Sequence, residues 1–193
     1  IKSHTTYDKQ YLVRHHIDSC NLFYDTQIKQ VFMEKNPIQI SKDFSEKHNE
    51  YKLKCELYIG GKDGSKIYYG KPVIYDKDNP HFMYPNEARL RNMSYAITIH
   101  YDVEVDFFMI DDSGNKTTNT MILEKILLGR FPIMLQSKLC ILNGLHNDIR
   151  YSMGECRNDN GGYFIIDGKE KTIIPQEQFG HNMMYIRAVS YTH

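Results

Sequence analysis

The sequence predicts an α+β fold, in which a leading helix is followed by a mostly antiparallel sheet and hairpins. Three observations support this prediction. Residues 9–34 repeat apolar side chains every three or four positions, which is the period of one helical face. Apolar side chains occupy every second position from Tyr95 to Met109, and polar side chains alternate with them at even positions from Thr98 to Asp106. The dipeptide Asp167-Gly168 separates two apolar runs, as in a two-residue hairpin.

The leading helix is predicted to end at Asn36-Pro37, because the residue before a proline avoids the helical region. One face of this helix is expected to pack on the core, and it carries Val13, Ile17, Cys20, Tyr24, Ile28 and Val31. The polar segment 36–50 that follows is interpreted as a surface connection.

Strict alternation predicts the next strand at 53–59, and the glycine-rich turn at 60–64 predicts a short returning strand at 67–69. The long strand at 95–110 has one apolar face. The opposite face is interpreted as solvated, as in an antiparallel sheet with one wet side, and it carries Thr98, His100, Asp102, Glu104 and Asp106.

A turn cluster at 111–115 and an apolar run at 121–128 predict that the long strand belongs to a hairpin with a flexible tip. A short helix is predicted at 145–153. The final hairpin pairs 163–166 with 171–174, and Pro175 is expected to end its second strand.

Composition sets the first limits on function. Lys plus Arg and Asp plus Glu are both 24, so the formal net charge is zero. This balance excludes a module that binds nucleic acid through its net positive charge, although a local basic patch remains compatible with it. No apolar window is long enough for a membrane span, and no signal peptide is visible. The cysteines are expected to be free thiols of a reducing compartment, and they are Cys20, Cys55, Cys140 and Cys156.

The motifs of common enzymes do not occur in the sequence. It contains no glycine-rich phosphate cradle and no nucleophile elbow. Scattered cysteines and histidines do not predict a zinc site. Three carboxylates in a row, Asp102, Glu104 and Asp106, have the oxygen ligands that Mg²⁺ prefers, but such a row is more often the solvated face of a strand.

Cations beside rigid turns are the more informative positions. Arg89 and Arg91 flank Leu90, and Arg130 lies between a glycine and a proline turn. A guanidinium can bind two oxygens of a phosphate or carboxylate at once. The alternative is that each arginine pairs with an internal acid such as Glu87.

Four stretches of sequence, in order along nearly the whole chain, resemble the second-largest subunit of multisubunit DNA-directed RNA polymerases. Residues 84–95 resemble that family's P-x-E-A-R-L-R-N-L-T-Y, and residues 129–138 its G-R-L-P-I-M-L-R-S. Residues 161–171 are similar to G-G-Y-F-I-I-N-G-x-E-K, and residues 12–19 to the helix that opens the family's first domain. Gln136 replaces a frequent arginine, Asp167 a frequent asparagine, and Pro175 a small or aliphatic residue.

The resemblance implies that residues 1–193 are the N-terminal protrusion domain, which forms part of one wall of the cleft for DNA and the RNA–DNA hybrid. The polymerase as a whole is a nucleotidyltransferase. Its Mg²⁺ is bound by the largest subunit, so this chain is expected to contain no catalytic residue, metal or cofactor. In the family a later segment completes the domain. The chain, which begins with Ile, is therefore expected to be an incomplete piece with an exposed sheet edge or apolar patch.

The resemblance and the cation pattern together assign the candidate residues. Contacts to the nucleic-acid backbone are expected from Arg130, Lys138, Lys169, Lys171 and Arg187. A structural role is expected for Glu87, Arg89, Arg91, Asn92, Gly162, Asp167 and Gly168.

The implied partners are the largest and other polymerase subunits, template DNA, the RNA–DNA hybrid and initiation factors, with no membrane. The implied location is the nucleus for a cellular protein. It is the virion and host cytoplasm for a large DNA virus, a source that fits the abundance of Ile, Lys, Asn and Tyr. The alternative hypothesis is a free-standing α+β domain that binds nucleic acid or a metal ion.

Overall fold

The computed structural model describes residues 10–46, 50–76, 79–111, 114–174, 176, 178–184, 186 and 188. It confirms the α+β prediction, since helical segments precede and flank antiparallel strands. The helices are α1 (Arg14–Leu22), a π-helical turn (Phe23–Gln27), α2 (Ile28–Lys35), α3 (Pro85–Leu90) and α4 (Asn147–Ser152). The strands are β1 (Ile38–Ser45), β2 (Glu50–Ile59), β3 (Ile67–Tyr69), β4 (Val73–Asp76), β5 (Asn79–Phe82), β6 (Ala96–Ile110), β7 (Lys116–Pro132), β8 (Phe164–Ile166) and β9 (Lys169–Lys171).

The leading helical segment ends at Lys35, as the Asn36-Pro37 signal predicts. Its buried face differs from the predicted one at its end, because Phe32 is buried and Val31 is exposed. Tyr24, Ile28 and Phe32 are buried at a regular spacing of four residues, so the buried stripe departs from the predicted positions only after Ile28. The Tyr24 hydroxyl donates to the Pro132 carbonyl at 2.9 Å and fixes the helix to β7.

The main sheet has the strand order β1-β2-β6-β3, with β7 on the other side of β6, and all its pairs are antiparallel. The prediction of a surface connection at 36–50 is wrong for β1, which pairs with β2 from Ile38 opposite Leu57 onward. Most of β1 is exposed, so its ladder of backbone hydrogen bonds rather than apolar burial holds it. Hydrophobic periodicity alone is a weak signal for such an edge strand.

The long hairpin of β6 and β7 is confirmed, and β7 reaches beyond the predicted 121–128 at both ends. We call its inner end the part near Ala96 and Pro132, and its outer end residues 102–125 with the parts of β1 and β2 that lie beside them. The helices cover the inner end, where the core contains Tyr95, Ile97, Ile99, Ile133, Leu135 and Ile165. Large apolar side chains at the outer end remain exposed, among them Phe107, Met109 and Met121.

Candidate nucleic-acid interface

Arg89 joins three separate segments at the inner end. It lies in α3, a short helix that begins with proline at its first position, where the missing N–H costs nothing. Its Nη1 donates to Glu155 at 2.9 Å, its Nε to Glu170 at 2.8 Å, and its Nη2 to the Tyr163 hydroxyl at 2.8 Å. Glu155 is only 4% exposed. Burial alone would lower the pKa of Arg89, but the bonds to Glu155 and its neighbours raise it, so Arg89 remains charged.

The neighbouring motif residues also make internal contacts. Arg91 donates to Glu87 at 2.9 Å and to Asp76 at 3.2 Å, so both arginines of this motif are paired with acids. Asn92 has a left-handed backbone, and a Cβ added at Gly168 would lie 2.8 Å from the Asn92 Cα. Close approach between α3 and the final hairpin therefore requires glycine there.

Gly162 has a similar role at the helix. A Cβ added there would lie 2.7 Å from the Cβ of Val13, so the glycine lets the 161–163 segment pass against the start of the leading helix. The nearby Gln136, which replaces an arginine of the resembled motif, is almost fully buried and donates to the Asp159 carbonyl at 2.8 Å. This position faces the interior and offers no surface for a phosphate.

The final hairpin of β8 and β9 is firmly seated on the domain. Asp167 and Gly168 both have positive φ, as the predicted two-residue turn requires. Ile165 is fully buried, and its carbonyl accepts from the Tyr95 N–H at 3.0 Å. The Ser94 hydroxyl donates to the Asp167 carboxylate at 3.0 Å, so the turn is attached to the domain as well as the strand.

The predicted nucleic-acid contacts divide into three groups. Lys169, Lys171 and Arg130 are exposed, and their side chains have no ion pair or hydrogen bond within the described part of the chain. Lys138 forms an ion pair with Asp25 of the leading helical segment. Arg187 lies outside the described residues.

One of the unpaired cations, Lys171, lies beside a surface groove. Phe131 of β7 and Phe164 of β8 line this groove with Phe23 and Ile173, among others. Lys171 pairs with Phe164 across the hairpin, whereas Arg130 precedes Phe131 in β7 and therefore lies on the opposite face of that strand. The inner end thus offers aromatic surface beside Lys171, a cation that no acid of the described residues occupies, and this combination is typical of surfaces that bind nucleic acid.

The row of acids on β6 forms an ion-pair network with protein groups. Asp106 accepts from Lys62 at 2.8 Å and from the Thr120 hydroxyl at 2.7 Å, and Glu104 pairs with Lys66. Asp102 accepts from the Tyr68 hydroxyl and the Lys125 N–H. Asp102 and Asp106 are 6% and 5% exposed, so the prediction of a solvated face is wrong for both.

These bonds change the acidity of the row. The Lys125 N–H lowers the pKa of Asp102, and Lys62 lowers that of Asp106. Each carboxylate is thus bound by donors from neighbouring strands or turns. A Mg²⁺ site would instead require the carboxylates to converge on one point. The residues that the structure describes contain no group of three or more potential metal ligands.

The remaining predictions concern free thiols and membrane-spanning segments. All four cysteines are free, and burial raises the pKa of the Cys20 and Cys140 thiols. Such thiols are poor nucleophiles. No helix in the described ranges has the length and apolar character needed to cross a membrane.

Sequence reasoning missed the acids that hold the site together, Glu155 and Glu170, and the Ser94 hydroxyl. The inward position of Glu170 could have been predicted from the sequence, because the period of two in a strand places Glu170 on the face opposite Lys169 and Lys171. Glu155 gives no such signal. It is brought to Arg89 from 66 residues away by the tertiary fold.

The fold and the site define an α+β domain that pairs many of its charges internally and leaves three of the predicted cations exposed and unpaired within its described residues. Residues 11–187 match the model of a family described as RNA polymerase beta subunit. The chain is 35% identical over 188 residues to DNA-directed RNA polymerase II subunit RPB2 of Eremothecium gossypii, covering 91% of this chain and 15% of the relative. It is 30% identical over 193 residues to the polymerase II subunit of the same name from Encephalitozoon cuniculi, covering 97% and 16%.

A third relative is DNA-directed RNA polymerase subunit Rpo2N of Methanothermobacter thermautotrophicus, which is 30% identical over 184 residues, covering 95% of this chain and 31% of the relative. The chain therefore belongs to the RNA polymerase β subunit family and corresponds to the N-terminal domain of the second-largest subunit. It spans about 15% of the length of its polymerase II relatives.

Proposed function

We propose that this chain is the protrusion domain of a second-largest polymerase subunit and forms a wall of the cleft that holds DNA and the RNA–DNA hybrid. The observation that supports this proposal most directly is the set of free cations at the inner end. Lys169 and Lys171 extend from a hairpin fixed at both turn and strand, Lys171 lies opposite the groove-lining Phe164, and Arg130 is exposed on the other face of β7 from Phe131.

The charge distribution fits this role. A polymerase must hold nucleic acid of any sequence, so contacts to the phosphate backbone are sufficient. A formal net charge of zero permits such contacts where the cations are local and the acids are neutralised elsewhere. Arg89, Arg91 and Lys138 pair with internal acids, which leaves Lys169, Lys171 and Arg130 as the candidates for phosphate binding.

The test replaces these cations in the full-length subunit assembled into its polymerase. Binding of a labelled RNA–DNA hybrid is measured by fluorescence anisotropy over a series of KCl concentrations. Removal of one cation that binds a phosphate should reduce the slope of log affinity against log salt by about 1, so Lys169→Ala with Lys171→Ala should reduce it by about 2. Lys116→Ala is the matched control, because Lys116 pairs with Glu50 at the outer end.

An unchanged slope in the double variant, or an equal reduction in the Lys116 control, would contradict the proposed contacts. Arg130→Ala should reduce the slope by about 1, and an unchanged slope would show that the face of β7 that carries Arg130 is not part of the same surface.

The uncovered outer end supports a second part of the proposal, that a later segment of the same subunit completes the domain. Large apolar side chains of β1, β6 and β7 are exposed on one face of the sheet there, and Ile40 alone is 57% exposed. An exposed apolar patch of this kind usually marks an interface. Hydrogen exchange at β1 and β7 should be slower in the full-length subunit than in residues 1–193, and equal rates would contradict this proposal.

The remaining roles follow from membership in the assembled enzyme. The chain contributes to a nucleotidyltransferase whose Mg²⁺ the largest subunit binds, and its partners are that subunit, the other polymerase subunits and initiation factors. A cellular copy would act in the nucleus, like the polymerase II enzymes to which its relatives belong. A copy from a large DNA virus would act in the virion and host cytoplasm. Polymerase activity should require the other subunits, and nucleotide addition by this chain alone would contradict the proposal.

A further inference from the structure

The hairpin that carries Lys169 and Lys171 has a formal net charge of zero. Residues 164–171 contain two lysines, Lys169 and Lys171, and two acids, Asp167 and Glu170, so the formal sum is zero. An acid that lies beside a lysine weakens its attraction for a phosphate, because the two fields cancel at distances beyond their separation. The hairpin can attract a polyanion strongly only if its acids are neutralised or directed away from its lysines.

The strand register separates the charges onto two faces. Glu170 lies opposite the buried Ile165, whereas Lys169 and Lys171 lie opposite Ile166 and Phe164. Because alternate residues of a strand face opposite sides, Glu170 points toward the domain and the lysines point away from it. The Asp167 carboxylate also turns toward the domain, where it accepts from the Ser94 hydroxyl.

Arg89 meets Glu170 on the domain side. Its Nε donates to the Glu170 carboxylate at 2.8 Å, which neutralises the only acid between the two lysines. The guanidinium is itself held by Glu155 at 2.9 Å and by the Tyr163 hydroxyl, which donates in turn to Asp159. Its fork therefore cannot follow Glu170 if that side chain turns toward solvent.

We propose that Arg89 is a positioning residue for nucleic-acid binding: it retains and neutralises Glu170, so that the hairpin presents Lys169 and Lys171 as an undiluted cationic pair to the phosphate backbone. This inference rests on the proposed function, because it requires that these lysines contact nucleic acid. Arg89 then acts on nucleic-acid binding through Glu170, without contacting the nucleic acid itself.

The test is a double-mutant cycle between Arg89 and Glu170 in the assembled polymerase. Arg89→Met releases the carboxylate, and we expect weaker binding of a labelled RNA–DNA hybrid with a salt slope reduced by about 1. Adding Glu170→Gln removes the released charge, and it should restore both affinity and slope. Thermal stability should remain low in both variants, because each leaves Glu155 without its partner. If Arg89 has a purely structural role, both binding and thermal stability should stay reduced in the double variant.

Two further variants make every result decisive. If Arg89→Met does not fold, Arg89→Lys retains a charge beside Glu155 but lacks the fork that reaches Glu170, and the same cycle is measured with it. Persistent weak binding in the double variant, or undiminished binding in the single one, would overturn the inference. Lys169→Ala with Lys171→Ala tests the proposed function separately. If that pair has no effect, the hairpin contact itself is wrong, whereas an effect without rescue by Glu170→Gln leaves the contact and refutes only the role of Arg89.

Discussion

The inner and outer ends of the β6–β7 hairpin are stabilised in different ways. At the inner end, helices cover the sheet and Arg89 of α3 connects distant segments through ion pairs with the buried Glu155 and with Glu170. At the outer end, the apolar face of the sheet is open and one partner of each polar contact comes from an adjacent strand or turn. The described part of the chain therefore covers the sheet at the inner end and leaves its apolar face exposed at the outer end. Four predictions test this comparison.

The largest effect should come from removing core volume at the inner end. Ile99 is fully buried, so Ile99→Ala should reduce the free energy of unfolding by about 3–4 kcal/mol, through reduced apolar burial and the cavity left behind. Met121→Ala at the exposed outer end is the matched control and should cost less than about 1 kcal/mol. Urea denaturation of the chain measures both. Equal reductions would show that the two ends share one core.

A smaller but still large effect should come from the arginine network. Arg89→Met leaves Glu155 buried without a partner and should reduce the free energy of unfolding by about 3 kcal/mol. Arg91→Met breaks exposed pairs with Glu87 and Asp76, and it should leave the melting temperature nearly unchanged. Thermal denaturation of the two variants checks the contrast. A comparable destabilisation in Arg91→Met would mean that exposed and buried pairs contribute alike here.

Acid should distinguish the ends by loosening the outer sheet first. Hydrogen bonds and ion pairs lower the pKa of Asp102 and Asp106 in the folded state. The stability they contribute is complete above the ordinary aspartate pKa, near 3.9, and is lost as the pH falls through the lowered values. Hydrogen exchange in β6 and β7 should therefore increase below about pH 4 before it increases in α3 or β8.

Asp106→Asn provides the control for this pH dependence. It removes one titrating group, so the variant should be less stable at neutral pH and less sensitive to acid. A variant that retains the full acid sensitivity would show that other carboxylates cause it.

Periodicity predicted the parts of the fold whose burial it reflects. It found the leading helix, β6 and the Asp167-Gly168 turn, because each has a regular apolar face or a specific turn dipeptide, but the second strand of that hairpin is Lys169–Lys171 and not the predicted 171–174. It missed β1, an exposed edge strand held by its backbone ladder, and it misread the environment of Asp102 and Asp106. Alternation shows that a face is polar, but it does not show that lysines from neighbouring segments cover that face.

The candidate site shows the same limit. Motif resemblance selected the cations, yet it did not show which of them are paired. Lys138 meets Asp25 across 113 residues of sequence, and such a pairing exists only after the chain has folded. Lys169 and Lys171 differ from Lys138 because their hairpin directs them away from the domain. Pairing between distant residues, rather than residue type, thus decides which cations remain available to a phosphate.

The smallest effect should come from Asp167→Asn, which changes a charge at the inner end without changing its structure. Asparagine forms the same two-residue turn, and its side-chain oxygen can accept from the Ser94 hydroxyl as the aspartate does. The free energy of unfolding should therefore change by less than about 0.5 kcal/mol. The hairpin loses an acid close to Lys169, so affinity for an RNA–DNA hybrid should rise slightly at low salt and converge with wild type at high salt. A clear decrease in stability would instead mean that the Asp167 charge itself holds the turn.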